Sequence, residues 1–213
     1  MIAAFARFDL RSWFARTQTM LTLLFVVVVG IALPVPGMAI VAAGFVTSIM
    51  VSAPFLGDEH GRLDTLYGVL PVTRGAVVVG RTLALVAYYL AAAILATAVT
   101  LVMALARGEQ VAPGILLIAH AAAAAFLGVT MALQLPVFFR IGYSRGRLMA
   151  YAPALVVAGL AWLAQATGAL APMQQALAGI PLAAMVAGGI VLGVLGICIA
   201  AVVATRLYRA RAL

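Results

Sequence analysis

The chain has 213 residues, of which 67% are hydrophobic and 8% are charged, and its formal net charge is +8. Soluble globular domains are about half apolar and about one quarter charged, so this composition excludes an ordinary soluble domain. It predicts one membrane domain over residues 1–213. All basic residues are arginines that flank apolar runs, which favours a membrane topology signal over nucleic-acid binding.

The N-terminal residues 1–18, MIAAFARFDLRSWFARTQ, combine aromatic residues with three arginines. They form no single apolar face, but aromatic side chains and arginines both favour the headgroup region of a membrane. We therefore expect an interfacial helix that leads into the first span. A rival interpretation takes residues 1–39 as a cleaved signal peptide, with a basic start, an apolar middle and the sequence GMA. The further apolar runs argue against it.

Four apolar runs predict six membrane-spanning helices, because one crossing takes roughly 20 apolar residues. The first run, residues 17–57, is divided by PVPG, and proline with glycine is typical of a tight turn. The last run, residues 148–205, is too long for one span and is divided at residues 167–181. Residues 82–106 and 110–139 provide the third and fourth spans. The predicted fold class is therefore all-α, with six transmembrane helices.

The arginines are distributed unevenly between the two sides of this topology. Of the 13 basic residues, all except Arg107 precede span 1, follow span 6, or lie between spans 2 and 3 or spans 4 and 5. Because cytoplasmic loops are enriched in basic residues, both termini are expected in the cytoplasm. The same rule makes residues 57–76, 140–147 and 206–213 a cytoplasmic segment, a cytoplasmic loop and a cytoplasmic tail.

Few polar groups lie within the predicted spans. No Asp, Glu or Lys is found there, although ion pumps and proton relays usually carry such residues. The candidates for a substrate path are His120, Gln134 and Gln165. The more common role of such polar residues in membrane spans is a hydrogen bond between neighbouring helices.

Span 6 contains the pair Gly189 and Gly193, and a similar small pair, Ala184 and Gly188. Small residues at this spacing let helix backbones approach closely. We interpret them as a packing signal.

Motifs of enzymes are absent from the sequence. A phosphate-binding P-loop requires a lysine, and the chain has none; HExxH and CxxC are missing as well. We therefore predict no catalytic, cofactor-binding or metal-binding residues in this chain. Any energy for transport must then come from a partner subunit or from a gradient.

The segment between spans 2 and 3 contains DEHGRLDTLYGVLPVTRG. Its apolar residues recur at the i, i+3, i+4, i+7 spacing of one helix face, acidic residues precede them, where negative charge suits a helix start, and a proline ends the pattern. The predicted helix, residues 63–70, is too short to cross a membrane. It is either a passive connector in the interface or a docking helix that inserts into a soluble partner. Its apolar face consists of Leu63, Leu66, Tyr67 and Leu70.

Two segments resemble those of a known family, the small type-two ABC exporter permeases. DEHGRLDTLYGVLPVTRGAVVVGRTL resembles the segment after the second span, where an acidic patch precedes LPVSR-like residues and an apolar run with a basic residue. LPVFFRIGYSRGRLM, residues 135–149, resembles the segment after the fourth span, with a proline, an aromatic pair, a basic residue, GY, and two further basic residues. The resemblance extends over essentially the whole chain.

The resemblance implies that the chain pairs with a second permease chain, like or unlike, and docks on two separately encoded ATPase subunits that bind ATP and magnesium. Residues 57–76 then form a coupling segment that contacts the ATPase. Residues 140–147 are either a second contact or, as basic residues beside a span favour, an anchor to lipid headgroups. The predicted ATPase-docking residues are Asp58, Glu59, Arg62, Leu63, Asp64, Leu66, Tyr67, Leu70 and Arg74.

The implied function is that of the membrane subunit of an exporter in a bacterial cell membrane. Relatives of this kind export amphipathic peptides such as phenol-soluble modulins or confer resistance to antimicrobial peptides. An amphipathic peptide or another hydrophobic cargo also fits spans with few polar groups. The alternatives are a membrane scaffold or assembly protein without transport activity, and a stand-alone carrier, which the lack of buried acidic residues disfavours.

The arginine distribution gives a direct test of the topology. In a variant whose single cysteine is removed by Cys198→Ala, we expect Arg107→Cys to react with an impermeant thiol reagent from outside the cell. Arg145→Cys should react only after the cytoplasm is made accessible. The reverse pattern would overturn the predicted orientation.

Overall fold

In a computed structural model, residues 2–14, 16–61 and 73–210 are described, and every regular element in these ranges is helical. The all-α prediction is therefore confirmed for the described part of the chain. The helices are α1 (Ile2–Phe14), α2 (Thr17–Ala32), α3 (Met38–Met50), α4 (Ala53–Gly61), α5 (Arg74–Arg107), α6 (Pro113–Gly146), α7 (Ala152–Ala166), α8 (Leu170–Ala178) and α9 (Leu182–Ala210), with a 3₁₀ turn (Arg147–Ala150) before α7.

The PVPG turn lies where the sequence predicts it. Helix α2 ends at Ala32 and α3 begins at Met38, and Gly37 adopts a left-handed conformation with φ of 87° that costs glycine little. At the other end of α2, α1 meets it at an angle of 79°. A separate N-terminal helix is thus present, as expected, and its position relative to a membrane stays a prediction.

Helices α6 and α9 form the closest helix pair of the fold. A Cβ atom on Gly196 would lie 2.4 Å from the carbonyl carbon of Gly128, and one on Gly193 would lie 2.7 Å from the carbonyl oxygen of Ala124. Further up the helices, Gly189 faces Ala121 in the same way. The small residues of span 6 therefore act as predicted by letting two backbones touch. The second small pair does not contribute, because the space around Gly188 is open.

Contacts along the helices show their relative directions. Helix α9 runs parallel to α6, because its residues meet α6 in increasing order from Gly189 to Gly196. Helix α2 runs parallel to α5: the hydroxyls of Thr22 and Tyr88 share a hydrogen bond of 2.7 Å, and the guanidinium of Arg107 donates to Ile31 O near the ends of both helices. Since α2 and α3 are joined by a tight turn, α2 and α5 run one way, and α3, α6 and α9 run the other.

This arrangement puts the predicted cytoplasmic segments at one end of the molecule. The start of α2, the end of α4, the start of α5 and the ends of α6 and α9 all lie there. The arginines of the described ranges lie at this end as well, except Arg107, which lies at the opposite end. The fold therefore reproduces the predicted grouping of charge. Which end faces the cytoplasm stays a prediction.

Within the described ranges, four helical stretches are long and apolar enough to cross a membrane, or five if α1 and α2 count as one bent span. The predicted number of six is not confirmed by length and composition. One of the four, Pro113–Ala166, has 54 residues, which is far more than one crossing needs. Because α6 and α9 are parallel, the chain between them must return along the molecule. Helices α7 and α8 make this return.

Two boundaries differ from the sequence prediction. Residues 140–147, expected as a loop, continue helix α6 to Gly146, although Gly142 breaks its regular geometry. Residues 57–61, expected within the coupling segment, form the last turns of α4. The predicted docking helix, residues 63–70, lies outside the described residues.

The α6–α9 contact provides a matched pair of variants. Gly196→Ala should destabilise the protein by about 1–3 kcal/mol, a typical cost of overpacking, because its Cβ would overlap the backbone of Gly128. Gly188→Ala on the same helix meets open space and should be neutral. Thermal unfolding in detergent measures the difference, and equal stability of the two variants would contradict the packing.

Candidate functional site

A buried cluster of three charged residues joins three helices at the arginine-rich end of the molecule. Arg81 of α5 donates from Nε to Asp9 Oδ2 of α1 at 3.1 Å and from Nη1 to Asp58 Oδ2 of α4 at 2.6 Å. The exposed fractions are 1% for Arg81, 2% for Asp9 and 7% for Asp58. We call these three residues the Arg81 cluster.

Aromatic rings surround the guanidinium of Arg81. The rings of Phe55, Phe5 and Phe139 lie 4.8, 5.8 and 5.9 Å from its central carbon. The electron-rich faces of aromatic rings attract cations, and this attraction is stronger where water is excluded. Phe139 belongs to α6, so the rings extend the Arg81 cluster to a fourth helix.

Helical spacing explains how these side chains meet. Phe5 and Asp9 are four residues apart on α1, and Phe55 and Asp58 are three apart on α4, so each helix presents a ring and a carboxylate on one face. Arg81 fits this frame because its planar guanidinium has five donors in a rigid fork. Its Nη2 atom has no partner among the described residues. Arg81 also lines a cavity of about 10 Å³, which is about the size of one water molecule.

The cluster is a costly arrangement to disturb. Burying a charge is expensive unless it is paired and hydrogen-bonded. Removing one partner of a buried ion pair costs about 3–5 kcal/mol, because the other charge remains buried without compensation. Here the loss of Arg81 would leave two carboxylates close together. The pairing therefore holds α1, α4 and α5 together as one unit.

Glu59, the neighbour of Asp58, stabilises the break in α6. Gly142 has φ of 78° and ψ of 178°, and this break frees backbone N–H groups. The Glu59 carboxylate accepts the Ser144 N–H at 3.0 and 3.1 Å and also the Ser144 hydroxyl. It thus caps the last turn of α6 in the way acidic side chains cap helix starts. A Cβ on Gly142 would lie 2.6 Å from Glu59 Oε1.

Arg74 connects the start of α5 to the end of α9. Its Nη1 atom donates to the carbonyl oxygens of Tyr208 and Arg209 at 3.1 and 3.0 Å. Its guanidinium also lies over the Tyr208 ring, and that ring packs against Phe139. A cation suits the carbonyl end of a helix. The residues on both sides of the predicted docking helix are therefore tied to the rest of the fold.

Three of the predicted docking residues lie in the described part of the chain. Asp58 is buried against Arg81, Glu59 caps α6, and Arg74 binds α9, so all three make contacts within the chain. Their role in ATPase docking stays a prediction, and for Asp58 it would have to act through Arg81. The other docking residues lie outside the described residues; they are Arg62, Leu63, Asp64, Leu66, Tyr67 and Leu70.

The three candidates for a substrate path have separate environments. His120 Nε2 and the Thr97 hydroxyl share a hydrogen bond of 2.9 Å between α6 and α5. Gln134 donates from Nε2 to the carbonyl oxygens of Met149 and Ala150 at 2.8 and 3.2 Å. Both contacts match the alternative role of joining helices. Gln165 is exposed on α7, and no shared site is formed by the three.

The sequence interpretation missed the central pair of the cluster. Arg81 was assigned to topology and Asp9 to an interfacial helix. A signal was available: Arg81 follows six apolar or small residues and precedes a long apolar run, where a charge needs a partner. The structure also explains the aromatic pair of the LPVFFRIGY segment. The rings of Phe138 and Phe139 both pack against Phe55.

A family model described as ABC-2 family transporter protein matches residues 9–209. The chain belongs to the ABC-2 transporter family. The match includes Asp9, Asp58 and Arg81, so the cluster lies within the family domain. No curated protein and no solved structure matches the chain significantly.

Membership in the ABC-2 family agrees with the apolar helices. Together they establish a multi-pass membrane protein of a transporter family, and they support the role of a permease. Among the described residues, no group of three or more His, Cys, Asp or Glu side chains could hold a metal ion.

The Arg81 cluster predicts a large loss of stability on charge removal. Arg81→Leu should destabilise the detergent-purified protein by about 3–5 kcal/mol, because it removes the cation that pairs with both Asp9 and Asp58. Arg140→Leu, at an exposed arginine of the same end, is the matched control and should be close to neutral.

Neutralising the acids separates charge from packing. Adding Asp9→Asn and Asp58→Asn to Arg81→Leu should recover part of the lost stability, since no buried charge then remains. If Arg81→Leu unfolds at the same temperature as Arg140→Leu, the cluster does not hold the helices together.

Proposed function

We propose that this chain is the membrane-spanning permease subunit of an ATP-binding-cassette exporter. A separate ATPase subunit drives it and binds ATP and magnesium, since the sequence lacks the lysine that a P-loop requires. Membership in the ABC-2 family supports this role. The observation that carries the mechanism is the Asp58–Arg81 ion pair, which bridges the two sides of the predicted docking segment.

The ATPase docks on residues 63–70 and moves them when it binds and hydrolyses ATP. Displacement of this segment pulls on α4 and α5. These two helices move together because the Asp58–Arg81 ion pair joins them. Asp9 carries the same motion to α1. A docking segment on flexible tethers would transmit little, whereas one flanked by a rigid ion pair transmits displacement to the spans.

Two further contacts spread the motion across the fold. Glu59 links α4 to α6 at Gly142, and Arg74 links α5 to the end of α9. Since α6 and α9 touch along their backbones, they move as one body. A shift of α4 and α5 therefore changes the angle between the pair α6–α9 and the pair α2–α5. Such a rocking of rigid helices opens a path on one side of the membrane at a time.

The cargo follows from the nature of the spans. Residues along α9 are mostly apolar and exposed. The polar side chains of the described spans are few, and many of them hydrogen-bond within the fold. A path lined by such helices suits an amphipathic peptide or another hydrophobic molecule, whereas an ion or a sugar requires polar partners. A second permease chain, like or unlike, completes the path, and the cell membrane of a bacterium is the proposed location.

The competing function is a membrane scaffold that holds a partner without transport. It shares the docking surface but requires no coupling. The two are separated by measuring ATPase stimulation and peptide transport in vesicles that contain the complete complex. A scaffold binds the ATPase, while transport is absent with every amphipathic peptide tested.

The docking helix gives the decisive variants. Tyr67→Ala and Leu66→Asp should abolish co-purification of an ATPase encoded in the neighbouring region, because buried aromatic anchors dominate many interfaces and a carboxylate disrupts an apolar face. Tyr151→Ala, at an exposed tyrosine outside residues 57–76, is the control and should retain the ATPase. Size-exclusion chromatography checks that the permease stays folded. A full complement of ATPase with both docking variants would refute the docking site.

A further inference from the structure

A second feature of the structure is an apolar cavity between α6 and α7, separate from the Arg81 cluster. Its volume is about 140 Å³. For comparison, an apolar cavity of about 150 Å³ in a soluble protein is large enough to hold benzene. The cavity is lined by Phe126, Val129, Thr130, Leu133 and Gln134 on α6, and by Met149, Ala152, Pro153, Val156 and Val157 on the chain that follows.

The cavity is a consequence of the way α7 folds back. Gln134 binds the carbonyl oxygens of Met149 and Ala150 and fixes the turn. From there α7 runs back along α6, because the cavity joins Phe126 to Val156 and Val157. The two helices do not close on each other, and the gap between them is the cavity.

The surface that the lining presents to the cavity is apolar. The hydroxyl of Thr130 already donates to Phe126 O, and the Gln134 amide nitrogen is used in the turn. Gln134 Oε1 is buried and has no hydrogen-bond partner among the described residues. The remaining lining side chains are apolar. Four of them, Val129, Leu133, Val156 and Val157, are also 41–58% exposed, so the cavity opens sideways onto the surface that faces lipid.

Charge near the cavity indicates which hydrocarbon enters it. Arg140, Arg145 and Arg147 are exposed at the end of α6 and in the turn. Arg140 is six residues beyond Gln134, about 9 Å along a helix. Exposed arginines beside a span attract anionic lipid headgroups. A lipid whose phosphate lies at these arginines has its acyl chain level with the cavity.

We propose that the cavity binds an acyl chain of an anionic phospholipid, with the headgroup at Arg140, Arg145 and Arg147. The site is distinct from the docking segment and requires neither the ATPase nor the cargo. Apolar walls that contact no atoms lose dispersion attraction, and an acyl chain restores those contacts. The bound lipid would fill the gap that separates α7 from α6.

The test is photolabelling of the full-length chain in nanodiscs. Two phospholipids carrying a diazirine in the acyl chain are compared, phosphatidylglycerol and phosphatidylcholine, and labelled peptides are identified by mass spectrometry. Phosphatidylglycerol should label residues 126–134 or 149–157 several-fold more than phosphatidylcholine does. Equal labelling by both lipids, spread over all exposed helices, would show bulk lipid only and would overturn the proposal.

Matched variants locate the label. Ala152→Phe places a ring in the cavity and should remove the label, whereas Ala154→Phe, on the same helix but outside the lining, should retain it. Leu133→Ala enlarges the cavity and should increase labelling, so the proposal can fail even if Ala152→Phe does not fold. Unchanged labelling in Ala152→Phe and Leu133→Ala would overturn it.

A second copy of the chain is the rival occupant. This occupant is tested by disulfide cross-linking of Val156→Cys in the Cys198→Ala background. A second copy that inserts at this gap would bring two such cysteines together. Efficient disulfide-linked dimers, with no labelling by either lipid, would assign the cavity to the subunit interface instead. Protection of the site by added amphipathic peptide, in place of lipid labelling, would assign it to the cargo.

Discussion

The pairing of Arg81 with Asp9 and Asp58 is the interaction on which the arginine-rich end of the molecule depends. It joins α1 to α4 and α5, and the rings of Phe5, Phe55 and Phe139 surround the guanidinium. Because separating a buried charge from its partners is costly, the cluster restricts how these helices can move. They shift together or the pairing breaks. That restriction is what makes the adjoining segment suited to receive a mechanical input.

A second constraint acts between helices without any charge. Helices α6 and α9 meet through glycine and alanine, and their backbones touch near Gly128 and Gly196. Such contact leaves no room for independent sliding. The protein thus contains the Arg81 cluster, which holds α1, α4 and α5 together, and the closely packed pair α6 and α9. Glu59 connects α4 to α6 beside the break at Gly142, and Arg74 connects the start of α5 to the end of α9.

The sequence was sufficient for the features that depend on local pattern. Apolar runs, the PVPG turn, the small residues of α9 and the grouping of arginines each follow from neighbours in the chain. The Arg81 cluster could not be assigned in this way, because Asp9, Asp58 and Arg81 come from three separate segments and each looked like a surface charge. The helical continuation past Arg140 was missed for a related reason. Glu59, from a distant helix, satisfies the backbone at Gly142, where sequence pattern alone indicated a loop.

The parallel pairing of α6 and α9 has a consequence for the order in which the protein is made. Synthesis proceeds from the N-terminus, so α6 enters the membrane before α7, α8 and α9 exist. The surface of α6 around Ala121 and Gly128 then faces lipid until the returning chain has crossed and α9 has followed. The tightest contact of the mature fold is therefore among the last to form.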